Sequence, residues 1–367
     1  MATPIRTAVL GYGFAGRIFH SPFVHAVPGL ELSAIVQRHG DNAAADYPGT
    51  RILRSVDEAF GDSAIDLIVV ATPNDSHVEM ARRALEAGKH VVVDKPIAGT
   101  SSEALELITL ARKQGKLLAP FHNRRFDGDF LTVRKLVSEG RLGRVTLVNA
   151  HFDRFRPMQR ANTWKEVGGA ANGLLFDLGP HLVDQALALF GVPKWITASV
   201  RQERDVTAIE DAFDIALEFA RPGEGARGIR YECHASMLAA EPAPRFRVQG
   251  TLGSYVKSGL DPQEAALLGG ARPAELGSGE PWLPEAESAW GTLTTAADPS
   301  EPARLDRSKL ATEVGDYREF YANVRDAIRG EAGLVVSPED GYRSIRLLEL
   351  ALQSSDQNHT LPVVFAA

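Results

Sequence analysis

The sequence predicts an α/β chain in two parts. Residues 1–122 read as a doubly wound parallel sheet, and residues 123–367 as an α/β domain built on a large, mostly antiparallel open sheet. Three observations lead there. The first 120 residues alternate short, unbroken apolar runs with helix-period segments, which is how a parallel sheet covered on both faces reads. A glycine triplet directly follows the first apolar run. From residue 145 onward, β-rich segments follow one another without regular crossover helices.

The elements follow in order. Residues 7–10 read as the first strand, then a glycine-rich turn, then a helix interrupted or restarted where Ser21 can cap and Pro22 can take the first helical position. Residues 30–36 and 67–71 are the second and third strands. Ser76 and Glu79 have capping-box spacing, and Gly88 stands where that helix should stop. Residues 90–93 form a fourth strand. Thr100 and Glu103 open a helix with Ala104, Leu107, Ile108 and Ala111 on one face and Gly115 past its end, and residues 116–120 form a fifth strand. In the second part, strands are expected at 145–153, 196–201, 213–219, 229–236 and 246–256. A helix is expected at 180–190, closed by Gly191. Residues 262–302, rich in Gly, Pro, Ala and Glu, read as a long excursion with little regular structure. Helices near 312–329 and 338–350 finish the chain, the latter opened by Ser337-Pro338.

Composition narrows the function. Hydrophobic residues at 44% and charged residues at 24% are the balance of a globular protein with a sizeable core, and 367 residues exceed one ordinary domain. A formal net charge of −7 argues against nucleic acid or an anionic membrane as the main partner, since both need a concentrated basic surface. The single cysteine, Cys233, cannot form an intramolecular disulfide and reads as a small core residue. No apolar run exceeds strand length and no secretory pattern is visible, so a cytoplasmic protein is expected. No metal-ligand pattern is assigned.

Gly11-Tyr12-Gly13-Phe14-Ala15-Gly16 lies in the strand–turn–helix context that holds a dinucleotide pyrophosphate. In that arrangement the first glycine permits the tight turn, the second lets backbone approach the phosphates, and the third allows close helix–strand packing. NAD enzymes place an acid at the tip of the second strand to bind the ribose hydroxyls, whereas this chain has Val36-Gln37-Arg38-His39, with Asp41 further along. Arg38 suits a 2′-phosphate, so NADP is the expected cofactor, with NAD the alternative. Ligands in open parallel sheets sit beyond the carboxyl ends of the strands, where Thr72, Asn74, His77, Asp94, Lys95 and Asn123 fall. Lys95 at a strand tip can donate a hydrogen bond to a reacting oxygen. Asp177 and His181, four residues apart around Gly179-Pro180, can face one pocket. Gly179-Pro180 is read as a helix start, with Asp177 before it and His181 in its first turn.

The glycine triplet, Asp94-Lys95-Pro96 after a strand, and the run G-x-L-x-D-x-G-x-H-x-x-D over residues 173–184 together resemble the Gfo/Idh/MocA family of oxidoreductases. The resemblance covers nearly the whole chain. It implies a Rossmann domain followed by an α/β domain that carries the substrate site and forms homodimer or homotetramer contacts through its sheet. It also implies that Lys95, Asp177 and His181 form the catalytic group; many relatives have Glu where this chain has Asp94. The stretches GYGFAGRIFHSPF (11–23), VVVDKPIAGTS (91–101) and NRRFDGDFLTVRKL (123–136), with Asn162-Thr163-Trp164-Lys165, are similar to the NADP-dependent scyllo-inositol dehydrogenase subgroup. Arg124, Asp127 and Trp164 become substrate-pocket candidates on that resemblance. It implies hydride transfer to or from a secondary alcohol of a small polyol, sugar or cyclitol. The family also contains glycosidases that use NAD transiently, sensors that bind a dinucleotide without catalysis, and reductases of bilins or imines. The intact Lys95, Asp177 and His181 favour a polyol dehydrogenase over these.

Overall fold

β1 (Ile5–Leu10), β2 (Leu30–Val36), β3 (Arg51–Leu53), β4 (Leu67–Val70), β5 (His90–Val93) and β6 (Leu118–Pro120) form one all-parallel sheet in the order β3-β2-β1-β4-β5-β6. This is a computed structural model, and it describes residues 3–366 apart from 160–165, 167–170, 221–227, 280, 297, 299 and 301–303. Val69, Val70, Val92 and Val93 are fully shielded from solvent, which is why these strands read as unbroken apolar runs. The register aligns the strand ends. Leu10 stands opposite Val36 and Val70, Val70 opposite Val93, and Val93 opposite Pro120. The residues that follow these five therefore emerge along one edge of the sheet, and the strand order reverses between β1 and β4.

The helix Ser101–Gln114 is built as its sequence predicts. Thr100 and Glu103 form a capping box, Ala104, Leu107, Ile108 and Ala111 are buried, and Gly115 ends it in the left-handed region. Ser76 does not cap as expected. A 3₁₀ turn, Asn74–Ser76, precedes the helix His77–Glu86 and leaves Ser76 in a helical conformation, so its hydroxyl turns back to Thr72 Oγ1 and the Pro73 carbonyl. After β1 the helix is interrupted where expected, and an α-helix begins at Ser21 with Pro22 in its first turn, but Ser21 gives no side-chain cap. The chain passes through a π-helical stretch, Gly16–His20, into the helix Ser21–Ala26, and the Ser21 N–H reaches the Gly16 carbonyl. The wider turn accommodates Pro22, which lacks an N–H and would crowd the carbonyl one turn back.

The second sheet has nine strands among the described residues. They are β7 (Val145–His151), β8 (Trp195–Arg201), β9 (Ala212–Phe219), β10 (Ile229–Ser236), β11 (Phe246–Gly250), β12 (Gly253–Lys257), β13 (Gly291–Ala296), β14 (Leu305–Leu310) and β15 (Leu361–Pro362). The order is β14-β13-β12-β11-β7-β10-β9-β8-β15, and every pairing is antiparallel except β7 with β10. One face packs on the helix Leu174–Phe190 and the later part of Pro338–Gln357, giving a core that includes Val148, Tyr231, Phe246, Leu182 and Leu348. Cys233 lies in it on β10, as expected, and burial pushes its thiol well above the usual range.

Several expectations change. Residues 246–256 are a hairpin of two strands joined at Thr251-Leu252, because continuous apolar alternation hides a tight turn. The stretch 262–302 is not structureless: it holds the helix Pro262–Leu268, a 3₁₀ turn at Glu287–Ala289, and β13. β14 was not anticipated; its residues are almost all exposed at the sheet edge, so no apolar period marks them. The last helices are Arg318–Ile328 and Pro338–Gln357.

The helix expected at 180–190 begins at Leu174 and carries Pro180 inside it. Pro180 forgoes one backbone bond, which a long helix packed on a sheet can bear. Gly179 is small for packing reasons, since a Cβ there would stand 2.9 Å from Leu348 Cδ2. The chain forms two compact units that are not continuous in sequence. The first takes Met1–Phe126, Gln263–Trp282 and Asp316–Ile345, and the second takes Asp127–Pro262, Leu283–Gly315 and Arg346–Ala367. Residues 123–126, 263–282 and 316–345 thus fold with the parallel sheet, because sequence periodicity carries no information about which sheet a late helix joins. Among the described residues no helix is long and apolar enough to cross a membrane.

Candidate active site

In the first unit, Gly11, Gly13 and Gly16 are glycines for different reasons. Gly11 has φ +95°, and a Cβ there would meet the Ala71 carbonyl oxygen at 2.8 Å. A Cβ on Gly16 would stand 1.9 Å from the Gly11 carbonyl oxygen. The protein's own packing therefore excludes side chains at both. Around Gly13 there is nothing within 4 Å, so no protein atom demands the missing side chain. A backbone kept bare where the protein does not need it, beside the helix that starts at Phe14, fits close approach of a pyrophosphate. The residues present thus suit a dinucleotide. Tyr12 and Arg17 brace the turn by holding Asp46 at 2.6 and 2.9 Å, while Ala15 is half-buried and Phe14 exposed.

Arg38 lies exposed just past β2. Its loop is organised by a second arginine that sequence reading missed. Arg54 donates to the carbonyls of Gln37 and Gly40 at 3.0 and 2.7 Å and pairs with Asp41 at 2.5 Å. The acid near the strand tip, Asp41, is thus ion-paired, and Arg38 beside it is an exposed cation.

The loops after β4 and β5 are tied together by His77. Its ring is completely buried, with Nδ1 2.8 Å from the Pro96 carbonyl and Nε2 2.9 Å from the Thr72 carbonyl. Both nitrogens face backbone carbonyls, so His77 clamps the Thr72 end of one loop against the Lys95-Pro96 turn. Asp94 accepts from the Lys95 N–H at 2.8 Å and has His20 Nε2 at 3.8 Å. Burial pushes the Asp94 carboxyl up, but His20, His77 and Lys95 outweigh it and hold the group below the usual carboxylate range. His20 in turn bonds Tyr321 at 2.6 Å and lies against Phe121, at 4.4 Å between ring centres. His20 and Tyr321 were not singled out from sequence, because a histidine in an early helix and a tyrosine 301 positions away carry no shared motif.

Asn123 and Arg124 lie in a 3₁₀ turn, Asn123–Phe126, and are buried. The Arg124 guanidinium bonds Glu264 and reaches the Tyr317 hydroxyl at 3.4 Å. Asp127 is buried at the start of the helix Gly128–Ser138. Trp164 falls outside the described residues.

In the second unit, Asp177 and His181 are both inside the helix Leu174–Phe190, four residues apart and hence on one stripe that continues to Gln185. Arg154 stands 3.6 Å from Asp177, and the Phe152 ring 6.3 Å from that of His181. The stripe is anchored at Gln185, which accepts from Arg245 at 2.7 Å. Arg245 is itself buried, with its guanidinium 4.1 Å from the ring centres of Phe152 and Phe246 and 3.4 Å from Asp129. At the helix N-terminus Glu210 accepts from the Leu175 N–H, its carbonyl accepts from the Leu174 N–H, and burial pushes its carboxyl up to about 7. The helix therefore presents an imidazole and a carboxylate side by side on a fixed support, an arrangement able to bind and move a hydroxyl proton.

The comparisons agree with this architecture. A family model described as "Oxidoreductase family, NAD-binding Rossmann fold" matches residues 5–122, and one described as "Oxidoreductase family, C-terminal alpha/beta domain" matches 134–363. The chain is 40% identical over 361 residues to the uncharacterized oxidoreductase YdgJ of Escherichia coli K12, covering 98% of this chain and 99% of that one. It is 33% identical over 357 residues to scyllo-inositol 2-dehydrogenase (NADP(+)) IolW of Bacillus subtilis 168, covering 97% and 95%. The solved structure of yvaA from Bacillus subtilis superposes with a TM-score of 0.91 at 32% identity, covering 99% of each chain. The glycine cradle, the loops after the parallel strands and the two family matches make this chain a member of the Gfo/Idh/MocA oxidoreductase family.

Proposed function

We propose that this chain is an NADP-linked dehydrogenase that moves a hydride between the cofactor and a secondary alcohol carbon of a sugar or cyclitol. The observation that carries the reading is the Asp177–His181 stripe on one rigid helix, in a chain whose relatives include an enzyme named for scyllo-inositol and NADP. The dinucleotide, when bound, supplies or takes up the hydride. Gly11 to Gly16 would hold its pyrophosphate, Arg38 its 2′-phosphate, and the Thr72–Asn74 and Asp94–Lys95 loops its nicotinamide half, with Asn123 nearby.

The remaining chemistry belongs to side chains. His181 takes the hydroxyl proton in oxidation and returns it in reduction. Asp177 orients the imidazole or accepts from a neighbouring hydroxyl. Lys95 stabilises the oxygen as its charge develops, and Asp94 and His77 hold the turn from which Lys95 projects. A desolvated polyol needs a partner for each hydroxyl, a requirement to which Arg124, Asp127 and Trp164 are assigned. Assembly into a homodimer or homotetramer through the open sheet completes the reading.

Steady-state kinetics on a panel of polyols and ketoses, followed through NADPH absorbance, test the proposal. His181→Ala and Lys95→Ala should each lower kcat by about 10²–10⁴-fold while NADPH affinity persists. The double variant should lose little more than the worse single one, because both residues serve one step. Near-wild-type turnover in either single variant would overturn the assignment. Arg38→Asp should weaken NADPH specifically, and a wild-type preference for NADH would defeat the NADP part alone.

A further inference from the structure

On the second sheet, across the strands from its helix-packed core, we propose a site for a divalent transition metal formed by His151, Asp153 and His234, with zinc the first candidate. β7 and β10 are the one parallel pair of the sheet among the described residues, and His151 and His234 stand opposite each other in its register. Alternation along β7 puts Val148 and Ala150 into the core, so His151 and His234 share the other face, with ring centres 5.0 Å apart. Asp153, two residues on, brings its carboxylate over both rings: Oδ2 is 3.5 Å from His151 Nδ1 and Oδ1 is 3.4 Å from His234 Nε2. One ligand atom from each residue lies within 4.8 Å of the others.

Those two separations are too long for good hydrogen bonds, which run about 2.7–3.2 Å. Each, running to a different oxygen of the carboxylate, is close to the spacing of about 3.3 Å between neighbouring donors around a tetrahedral ion with bonds of about 2.0 Å. The surroundings point the same way. His234 Nδ1 is 2.6 Å from Asp214 Oδ1, and Asp214 is held by Arg201 at 2.6 Å. With Nδ1 directed at Asp214, His234 presents Nε2 toward Asp153, the carboxylate–histidine–metal geometry of outer-shell support. Asp153 is only 4% exposed; its Oδ2 accepts from the Ala243 N–H at 3.1 Å, whereas Oδ1 and His151 Nδ1 are shielded from water and have no hydrogen-bond partner among the described residues. Two imidazole nitrogens and a carboxylate that converge on one point offer a cation its donors. Two imidazole nitrogens and one carboxylate select zinc or a neighbouring first-row ion over magnesium or calcium, which take oxygen donors. Three protein ligands leave a fourth position for water or another donor.

Tag-free, full-length protein stripped with chelator and dialysed against micromolar zinc tests this, with bound metal measured by elemental analysis. One zinc per chain is expected. His151→Gln and His234→Gln should each abolish it. Asp214→Asn, a change at a half-exposed position outside the ligand set, should keep the stoichiometry and weaken affinity by about 10–100-fold. Melting curves and circular dichroism show whether each variant is folded, and if the histidine variants do not fold, Asp214→Asn decides alone. A chain that takes up no zinc, or folded histidine variants that bind like wild type, would overturn the site and leave a cluster bridged by protons only.

Discussion

The two units hold their functional residues in opposite ways. In the first, the residues at the sheet edge are placed by backbone: aligned strand ends, a glycine turn, a 3₁₀ turn, and carbonyls that engage His77 and Arg54. In the second, Asp177 and His181 ride on one helix, and their support comes from side chains far away in sequence, through Gln185, Arg245 and Asp129. The difference teaches that a site built on strand ends is encoded locally, whereas a site built on a helix stripe depends on buried polar pairs that no motif announces. Mutations should separate the two kinds of support.

The largest effect on stability should come from Arg245→Ala. It deletes a buried guanidinium packed between two aromatic rings and leaves Asp129 charged and shielded, a loss of about 3–5 kcal/mol. The helix stripe should loosen with it, so chemical denaturation should register the loss even in the absence of substrate. Arg245→Met combined with Asp129→Leu should recover much of it, since an apolar pair of similar volume carries no unpaired charge. If Arg245→Ala alone is neutral, the helix does not depend on that support and the contrast between the units fails.

Next come the glycines of the first unit. Gly16→Ala drives a Cβ into the Gly11 carbonyl and should cost about 1–3 kcal/mol, lowering the melting temperature and dinucleotide affinity together. Gly13→Ala meets no protein atom, so stability should stay within about 0.5 kcal/mol while dinucleotide affinity falls. Melting curves and binding titrations on the two variants check this. A Gly13→Ala protein that binds NADPH like wild type would remove the reason given for that glycine.

This contrast also explains what the sequence disclosed. The parallel sheet apart from its short edge strand β3, the glycine cradle and the Thr100–Glu103 cap were legible, because strand runs, turn glycines and capping boxes are each written within a few residues. The mostly antiparallel nature of the second sheet was legible too, yet its exposed edge strand β14 was not, since a strand with no buried face shows no alternation. Gly179-Pro180 misled about the helix start because both residues have a local meaning, a helix boundary, and Gly179 has a tertiary one, contact with Leu348. His77 was placed near the cofactor by its position after a strand; only burial shows that its nitrogens are already taken. Arg54, Arg245, His20 and Tyr321 were invisible, since each acts through partners from 13 to 301 positions distant that share no motif with it.

A smaller effect tests the clamp between the loops of the first unit. His77→Ala should leave the Thr72 and Pro96 carbonyls without partners in a buried place, costing about 1–3 kcal/mol. Because the clamp holds loops assigned to the nicotinamide, the loss should also raise the Kd for NADPH, read by fluorescence titration. Equal binding by the variant would mean that the two loops hold their places without the imidazole.

The smallest effect sharpens the account of the second unit through pH. Glu210 lies against the start of the helix Leu174–Phe190, and its buried carboxyl is pushed up to about 7 from an ordinary value of 4.5. A carboxyl raised in the folded state stays protonated there while the unfolded chain has already released its proton. Its share of stability is therefore complete below about pH 4.5 and is lost as pH rises toward 7; above 7 the folded protein carries the full penalty. Glu210→Gln cannot ionise, so its stability relative to wild type should grow from pH 5 to pH 7 and then level off. Melting temperatures of the two proteins measured side by side over that range check the sign. A constant difference between them would mean that the carboxyl titrates alike in both states and that burial at the head of this helix does not govern it.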